Sequence, residues 1–187
     1  MKFSKRMDLL AEGVFSRLDE EKQNMLADGK AVYDFTIGSP NIAPSKEVMD
    51  ALITAAQQPE SYMYSLHDTK ELKETIQAWY RKRYQVELDT ETEILSLQGS
   101  QEVLAHVALA LCDEGDTVLI TAPSYPIFAN GPKIAGANLY EMPMLKEHEY
   151  LIQFDAIPEE IAEKAKMMII SYPNNPTGAI MTREDLE

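Results

Sequence analysis

The 187-residue chain is poor in the residues that staple or metallate a fold: one cysteine and three histidines. A single cysteine permits neither a disulfide nor a thiolate metal site within one chain. Cys112 sits in the apolar run Val107-Ala-Leu-Ala-Leu-Cys112 and reads as buried filler. His67, His106 and His148 are widely spaced and form no ligand motif. No apolar stretch reaches the roughly 18 residues of a membrane-spanning helix. Positive charge is also scarce, with 17 Lys and Arg against 31 Asp and Glu and a formal net charge of −14. So acidic a surface repels phosphate backbones and anionic lipids, which excludes nucleic acid and membrane as expected partners. The basic start, Met1-Lys-Phe-Ser-Lys-Arg-Met7, leads into no apolar segment and reads as no secretory signal. The expectation is a cytoplasmic protein without metal, acting on small molecules.

What the chain has is a core. Hydrophobic residues make up 45% and charged residues 26%, which excludes disordered and low-complexity classes. Apolar spacing predicts helices over 8–28 (stopped by Gly29), from Pro44-Ser45 to Pro59, over 69–83 and over 100–111. Two further helices are predicted over 125–135 and 158–165. Short runs at 32–35, 93–97, 117–121, 138–142 and 167–171 predict strands. From residue 93 onward strand and helix alternate, which predicts an α/β fold with a mostly parallel sheet flanked by helices.

Three junctions in that alternation carry chemistry. Gly99-Ser100-Gln101 stands where a strand hands over to a helix. Glycine permits the tight turn, Ser100 is suited to cap the helix, and free N–H groups at the helix start attract an anion. The same residues make an ordinary capped helix that binds nothing. Tyr125, in Ala122-Pro-Ser-Tyr-Pro126, follows the next strand, and loops after neighbouring parallel strands open on one ligand-binding edge. Its ring either lies on a planar ligand or packs on the following helix. Tyr172-Pro-Asn-Asn-Pro-Thr-Gly178 follows the last apolar strand and holds two adjacent amides in a turn stiffened by two prolines.

Asn175-Pro-Thr-Gly178, with Gly99-Ser-Gln101 and Pro123-Ser-Tyr125 upstream, resembles the class I/II aminotransferases of the fold-type-I pyridoxal-phosphate superfamily. The resemblance runs from about Tyr33 to Leu186. It implies pyridoxal 5'-phosphate as cofactor, with amino acid and 2-oxo acid as substrates and a homodimer as the assembly. It implies that Gly99, Ser100 and Gln101 hold the cofactor phosphate. Tyr125 would stack on the pyridine ring, and Asn175 would bond its phenolic oxygen near the substrate carboxylate. Ile37 and Gly38 match a loop that covers the substrate, and Tyr64 matches a tyrosine that reaches the neighbouring subunit's phosphate. Near that tyrosine the sequence departs from the family pattern, with Thr69 in place of the usual glycine and Lys73 in place of arginine.

The resemblance also implies a Schiff-base lysine, an aspartate facing the pyridine nitrogen and an arginine for the substrate carboxylate. No lysine here has that context, and Thr182-Arg-Glu-Asp-Leu-Glu187 reads as the first turn of a helix. The expectation is therefore an N-terminal part of an aminotransferase, inactive by itself and exposing sheet edge and apolar surface. Residues 1–43 would be an arm and small-domain segment, and residues 44–187 the beginning of the large domain. The competing readings are a carbon–sulfur lyase of the same superfamily, suggested by Trp79, and a binding or regulatory module without catalysis.

Overall fold

The computed structural model describes residues 2–10 and 13–186. The chain divides into two compact units, one of Gly13–Ser96 and one of Met1–Glu12 with Leu97–Glu187.

The Gly13–Ser96 unit holds three helices: α1 (Val14–Ala27), α2 (Lys46–Ala56) and α3 (Lys70–Tyr84). The helix expected over 8–28 is interrupted. Lys5–Leu9 forms a 3-10 turn, and α1 begins only after Gly13, which sits extended at φ −63° and ψ 120°. Glycine is a poor helix interior residue and serves better at the cap. Thr69 caps α3, its Oγ1 accepting the Leu72 N–H at 3.2 Å, and Arg81, Lys82 and Arg83 complement the dipole in the last turn. None of these helices buries a residue, so apolar side chains such as Leu52 and Trp79 stay exposed.

Two expected strands are absent from this region, and side-chain hydrogen bonds explain both. At 32–35 Asp34 folds the chain locally: its Oδ1 accepts the Thr36 N–H at 2.9 Å and the Thr36 hydroxyl at 2.7 Å, while Lys22 donates to Oδ2 at 3.1 Å. At 93–97 the Ser96 N–H donates to Asp68 Oδ2 at 3.2 Å, a bond outside any strand ladder. Glu93 turns its carboxylate onto the Asp89 N–H at 2.8 Å.

The other unit contains the sheet. Its elements run α4 (Gln101–Leu111), β1 (Thr117–Ala122), α5 (Ile127–Ala135), β2 (Asn138–Pro143), α6 (Glu159–Lys164), β3 (Ala165–Ile169) and α7 (Arg183–Leu186). The strands are parallel in the order β2-β1-β3. Thr117 lies opposite Asn138 and Ala122 opposite Pro143. Against β3 the register slips after Thr117, so Val118 faces Met167. That slip draws the start of β3 back to Ala165, two residues before the expected start.

Side chains of β1 alternate between two cores. Val118 and Ile120 pack with Phe128 and Ile169, joined by Leu104 of α4 and by Cys112. Leu119 packs with Met142, Met144, Ile152 and Met181 on the opposite face. Cover on both faces is why Val118-Leu-Ile120 reads as an unbroken apolar run. Burial pushes the Cys112 thiol above its ordinary pKa. Helices α4 and α5 meet at Gly131, where an added Cβ would lie 2.4 Å from the Leu104 carbonyl oxygen. Thr182 and Asp185 cap α7 reciprocally: the Asp185 N–H reaches Thr182 Oγ1 at 3.2 Å, and the Thr182 N–H reaches Asp185 Oδ2 at 2.7 Å. Among the described residues no helix is long and apolar enough to cross a membrane.

Candidate functional site

All three strands run the same way, so the loops that follow them leave from one edge of the sheet. Tyr125 lies just beyond the end of β1, and Asn174 and Asn175 lie beyond the end of β3. Helix α4 reaches the same edge from the other direction. Its C-terminus connects through residues 112–116 to the start of β1, and Leu104 and Cys112 pack into the β1 core. Its N-terminus therefore runs back toward the edge where β1 ends. Ser100, Tyr125 and Asn175 are brought to one side of a single sheet, where open α/β folds bind ligands.

At the α4 junction Gly99 adopts φ +87°, a left-handed conformation that favours glycine, and no atom lies within 4 Å of where a Cβ would stand. Ser100 and Gln101 are exposed. The hydroxyl of Ser100 makes no capping hydrogen bond, contrary to the sequence expectation. Instead Glu102 folds back, its carboxylate accepting the Gln98 N–H at 2.8 Å, while the Glu102 N–H donates to the Gly99 carbonyl at 3.1 Å. The Ser100 hydroxyl is thus not spent on the helix start, at the positive end of an eleven-residue helix.

Tyr125 is half-buried and meets Phe128 of the following helix edge to face, with centroids 6.4 Å apart at 75°. Its carbonyl accepts the Phe128 N–H at 3.0 Å as the chain turns into α5. The loop after β3 is tightly closed. The Asn174 N–H donates to the Ala179 carbonyl at 2.9 Å, and the Gly178 N–H donates to the Asn174 carbonyl at 2.7 Å. Asn174 Nδ2 donates to Thr177 Oγ1 at 2.9 Å. Asn174 is 3% exposed, whereas Asn175 is exposed. Beneath this loop the Tyr172 hydroxyl donates toward Met144 Sδ at 3.2 Å and the Tyr150 carbonyl at 3.4 Å. Burial holds that hydroxyl above its ordinary pKa. The peptide bonds Ala122–Pro123, Tyr172–Pro173 and Asn175–Pro176 are cis.

Gly99, Ser100, Gln101, Tyr125 and Asn175 therefore belong to the unit that holds the sheet. Ile37, Gly38 and Tyr64 belong to the Gly13–Ser96 unit, and all three are exposed. Sequence reasoning missed Thr121 and named Asn174 without showing that it is buried. Among the described residues, Thr121 Oγ1 at the end of β1 and Asn174 Oδ1 are buried without a hydrogen-bond partner. The adjacent amides at 174 and 175 were visible in sequence, but nothing in the pattern said which of them is inside.

A parallel sheet covered on both faces, with a glycine-led helix start and two proline-bearing loops following its strands, makes an α/β fold, and its solved neighbours are aminotransferases of fold type I. The chain belongs to the aminotransferase class I and II family, whose model matches residues 30–187. It is 38% identical over 183 residues to LL-diaminopimelate aminotransferase of Aquifex aeolicus, covering 97% of this chain and 47% of that protein. The apo structure of BacF from Bacillus subtilis superposes with a TM-score of 0.90 at 31% identity, covering 99% of this chain and 48% of that one. A Thermus thermophilus aspartate aminotransferase double mutant shares the fold, with a TM-score of 0.88 at 22% identity, covering 100% of this chain and 48% of that one. The chain spans about half the length of the curated relatives it matches.

Proposed function

We propose that the protein carrying this chain is a pyridoxal-phosphate-dependent aminotransferase, and that the carboxyl edge of its sheet holds the cofactor. The observation that supports this reading is that β1 and β3 run parallel, so the Tyr125 and Asn175 loops leave one edge of the sheet, toward which the chain direction turns the Ser100 end of α4. The residues fit the group. A phosphate needs a positive helix end, a hydroxyl not already committed and room for close approach, and the Gly99-Ser100 junction offers all three. A planar ring needs an aromatic platform and a polar anchor, for which Tyr125 and Asn175 serve.

When bound, the cofactor supplies an electron sink for the bonds around the substrate α-carbon. The chain's own residues bind and orient. Gly99, Ser100 and Gln101 would hold the phosphate through backbone N–H groups and the Ser100 hydroxyl. Tyr125 would offer the ring a stacking face, and Asn175 would donate to its phenolic oxygen, favouring the deprotonated form. The resemblance gives Ile37 and Gly38 the role of covering the substrate. The reading includes a cytoplasmic homodimer in which Tyr64 reaches the neighbouring subunit's phosphate. Residues 1–43 belong to the arm and small domain in this reading, and 44–187 to the large domain. The 187 residues alone are inactive in it, because no lysine in them stands in the family's Schiff-base context.

The curated relatives are named for LL-diaminopimelate, a diamino diacid, so this is the first donor to assay. The protein, loaded with pyridoxal phosphate, is incubated with that donor and a 2-oxo acid, and the aminated product is measured by mass spectrometry. Amine transfer supports the reading. Release of pyruvate and thiol from a sulfur amino acid would replace it with the lyase, and cofactor-free protein without turnover would replace it with the binding module.

A further inference from the structure

We infer that Asn174 is a positioning residue, a buried latch that acts through Thr177 to fix the loop presenting Asn175. The inference rests on the reading of Asn175 as a cofactor contact.

The loop of residues 174–179 is closed by Asn174 at both ends of its backbone. Its N–H donates to the Ala179 carbonyl at 2.9 Å, and its carbonyl accepts the Gly178 N–H at 2.7 Å. The chain returns on itself at Gly178, whose φ of +75° favours glycine. These bonds leave Asn175 and Pro176 exposed at the tip. The side chain adds a third tie across the loop, with Nδ2 donating to Thr177 Oγ1 at 2.9 Å. That oxygen also accepts the Ala179 N–H at 3.3 Å, so one hydroxyl joins the latch to the returning strand of the loop.

The tie is made at a site where polarity is costly. Asn174 is 3% exposed, and its Oδ1 has no donor among the described residues. An apolar residue of similar size would fill the same space without stranding an acceptor. What such a residue cannot do is donate to Thr177. The amide therefore earns its place through the loop geometry it imposes, and the residue held in that geometry is its exposed neighbour.

The test compares N174A, T177V and T177S, with N175A as benchmark, in the protein that carries this chain. Two readouts are taken. Hydrogen exchange of peptides covering residues 171–179, without cofactor, reports the loop. The pyridoxal 5'-phosphate dissociation constant and the pH midpoint of its visible absorbance report Asn175. N174A and T177V should each speed exchange and weaken cofactor binding by roughly five- to tenfold, the worth of about one hydrogen bond. Both should move the absorbance midpoint in the direction set by N175A, the N174A/T177V double variant should be no worse than the worse single one, and T177S should match the parent. A loss of melting temperature with an unmoved midpoint, or additive losses in the double variant, would overturn the latch. If the parent protein binds no pyridoxal phosphate, the proposed function falls. Exchange then decides the latch by itself: faster exchange in N174A and T177V but not in T177S sustains it, and unchanged exchange overturns it.

Discussion

Replacing Gly131 by alanine sets two effects of one methyl group against each other. In a helix interior, alanine is favoured over glycine by about 1 kcal/mol. Gly131 is buried in α5, and a Cβ there would lie 2.4 Å from the Leu104 carbonyl oxygen and 3.3 Å from that of Ala105, both on α4. A contact that short must be relieved, and a backbone carbonyl cannot rotate aside as a flexible side chain would. The two helices have to separate by several tenths of an ångström, which disturbs the packing of Leu104 with Val118 and Phe128. Overpacking of this kind costs about 1–3 kcal/mol, and relief against backbone belongs at the upper end. The net expectation is a loss of about 1–2 kcal/mol once helix propensity is subtracted. At about 2–4 °C per kcal/mol for a chain of this size, the melting temperature should fall by roughly 2–8 °C. G115A is the contrast: Gly115 has φ +93° in a turn and nothing within 4 Å, so a loss there reports left-handed strain without any contact. Thermal unfolding followed by circular dichroism measures both variants. A melting temperature for G131A equal to or above the parent's would refute the close-packing argument, because propensity alone would then account for the outcome.

Three further outcomes are expected. The Asp34 carboxyl, held at about 2 by the Thr36 hydroxyl and amide and by Lys22, lies below its ordinary 3.8. It therefore lends stability that is present above pH 4 and lost as pH falls from about 4 toward 2; carboxyl NMR should show the low midpoint, and T36V should return it toward the usual range. T69A removes the α3 cap and should cost about 1 kcal/mol in denaturant unfolding, with T69S restoring most of it; no change would mean the Leu72 N–H finds another acceptor. Y172F deletes the hydroxyl that reaches Met144 and Tyr150 and should cost about 1 kcal/mol. In the parent, spectrophotometric titration should show Tyr172 ionising at higher pH than an ordinary tyrosine, and that late transition should vanish in the variant.

The alternating half of the chain was legible because its periodicity reflects burial directly. Val118-Leu-Ile120 is apolar throughout because both faces of β1 are covered, and the predicted helices and strands after residue 100 sit within two residues of the observed ones. Residues 32–35 and 93–97 have strand-like composition too, but a strand exists only through its partner. Asp34 supplied local hydrogen bonds and Asp68 a long-range one to Ser96, and a hydrophobicity pattern registers neither. The helix expected to begin at Asp8 yields at Gly13 for the same reason, a local backbone preference outweighing a periodic signal. At the candidate site, the loops could be placed from strand order and direction alone. The contrast between buried Asn174 and exposed Asn175 could not, because it depends on how the loop closes between residues 174 and 179.

The central place of β1 has a consequence for how readily the segments on either side of it open. A strand bonded along both edges is released only after both neighbours let go, so the segment leading to Tyr125 should open only when the unit as a whole unfolds. Among the described residues β3, which leads to the Asn175 loop, pairs only with β1, and that pairing carries a register slip. Partial openings should therefore free the amide side while the aromatic side stays in place. In this chain hydrogen exchange should therefore be faster over residues 165–179 than over residues 117–125.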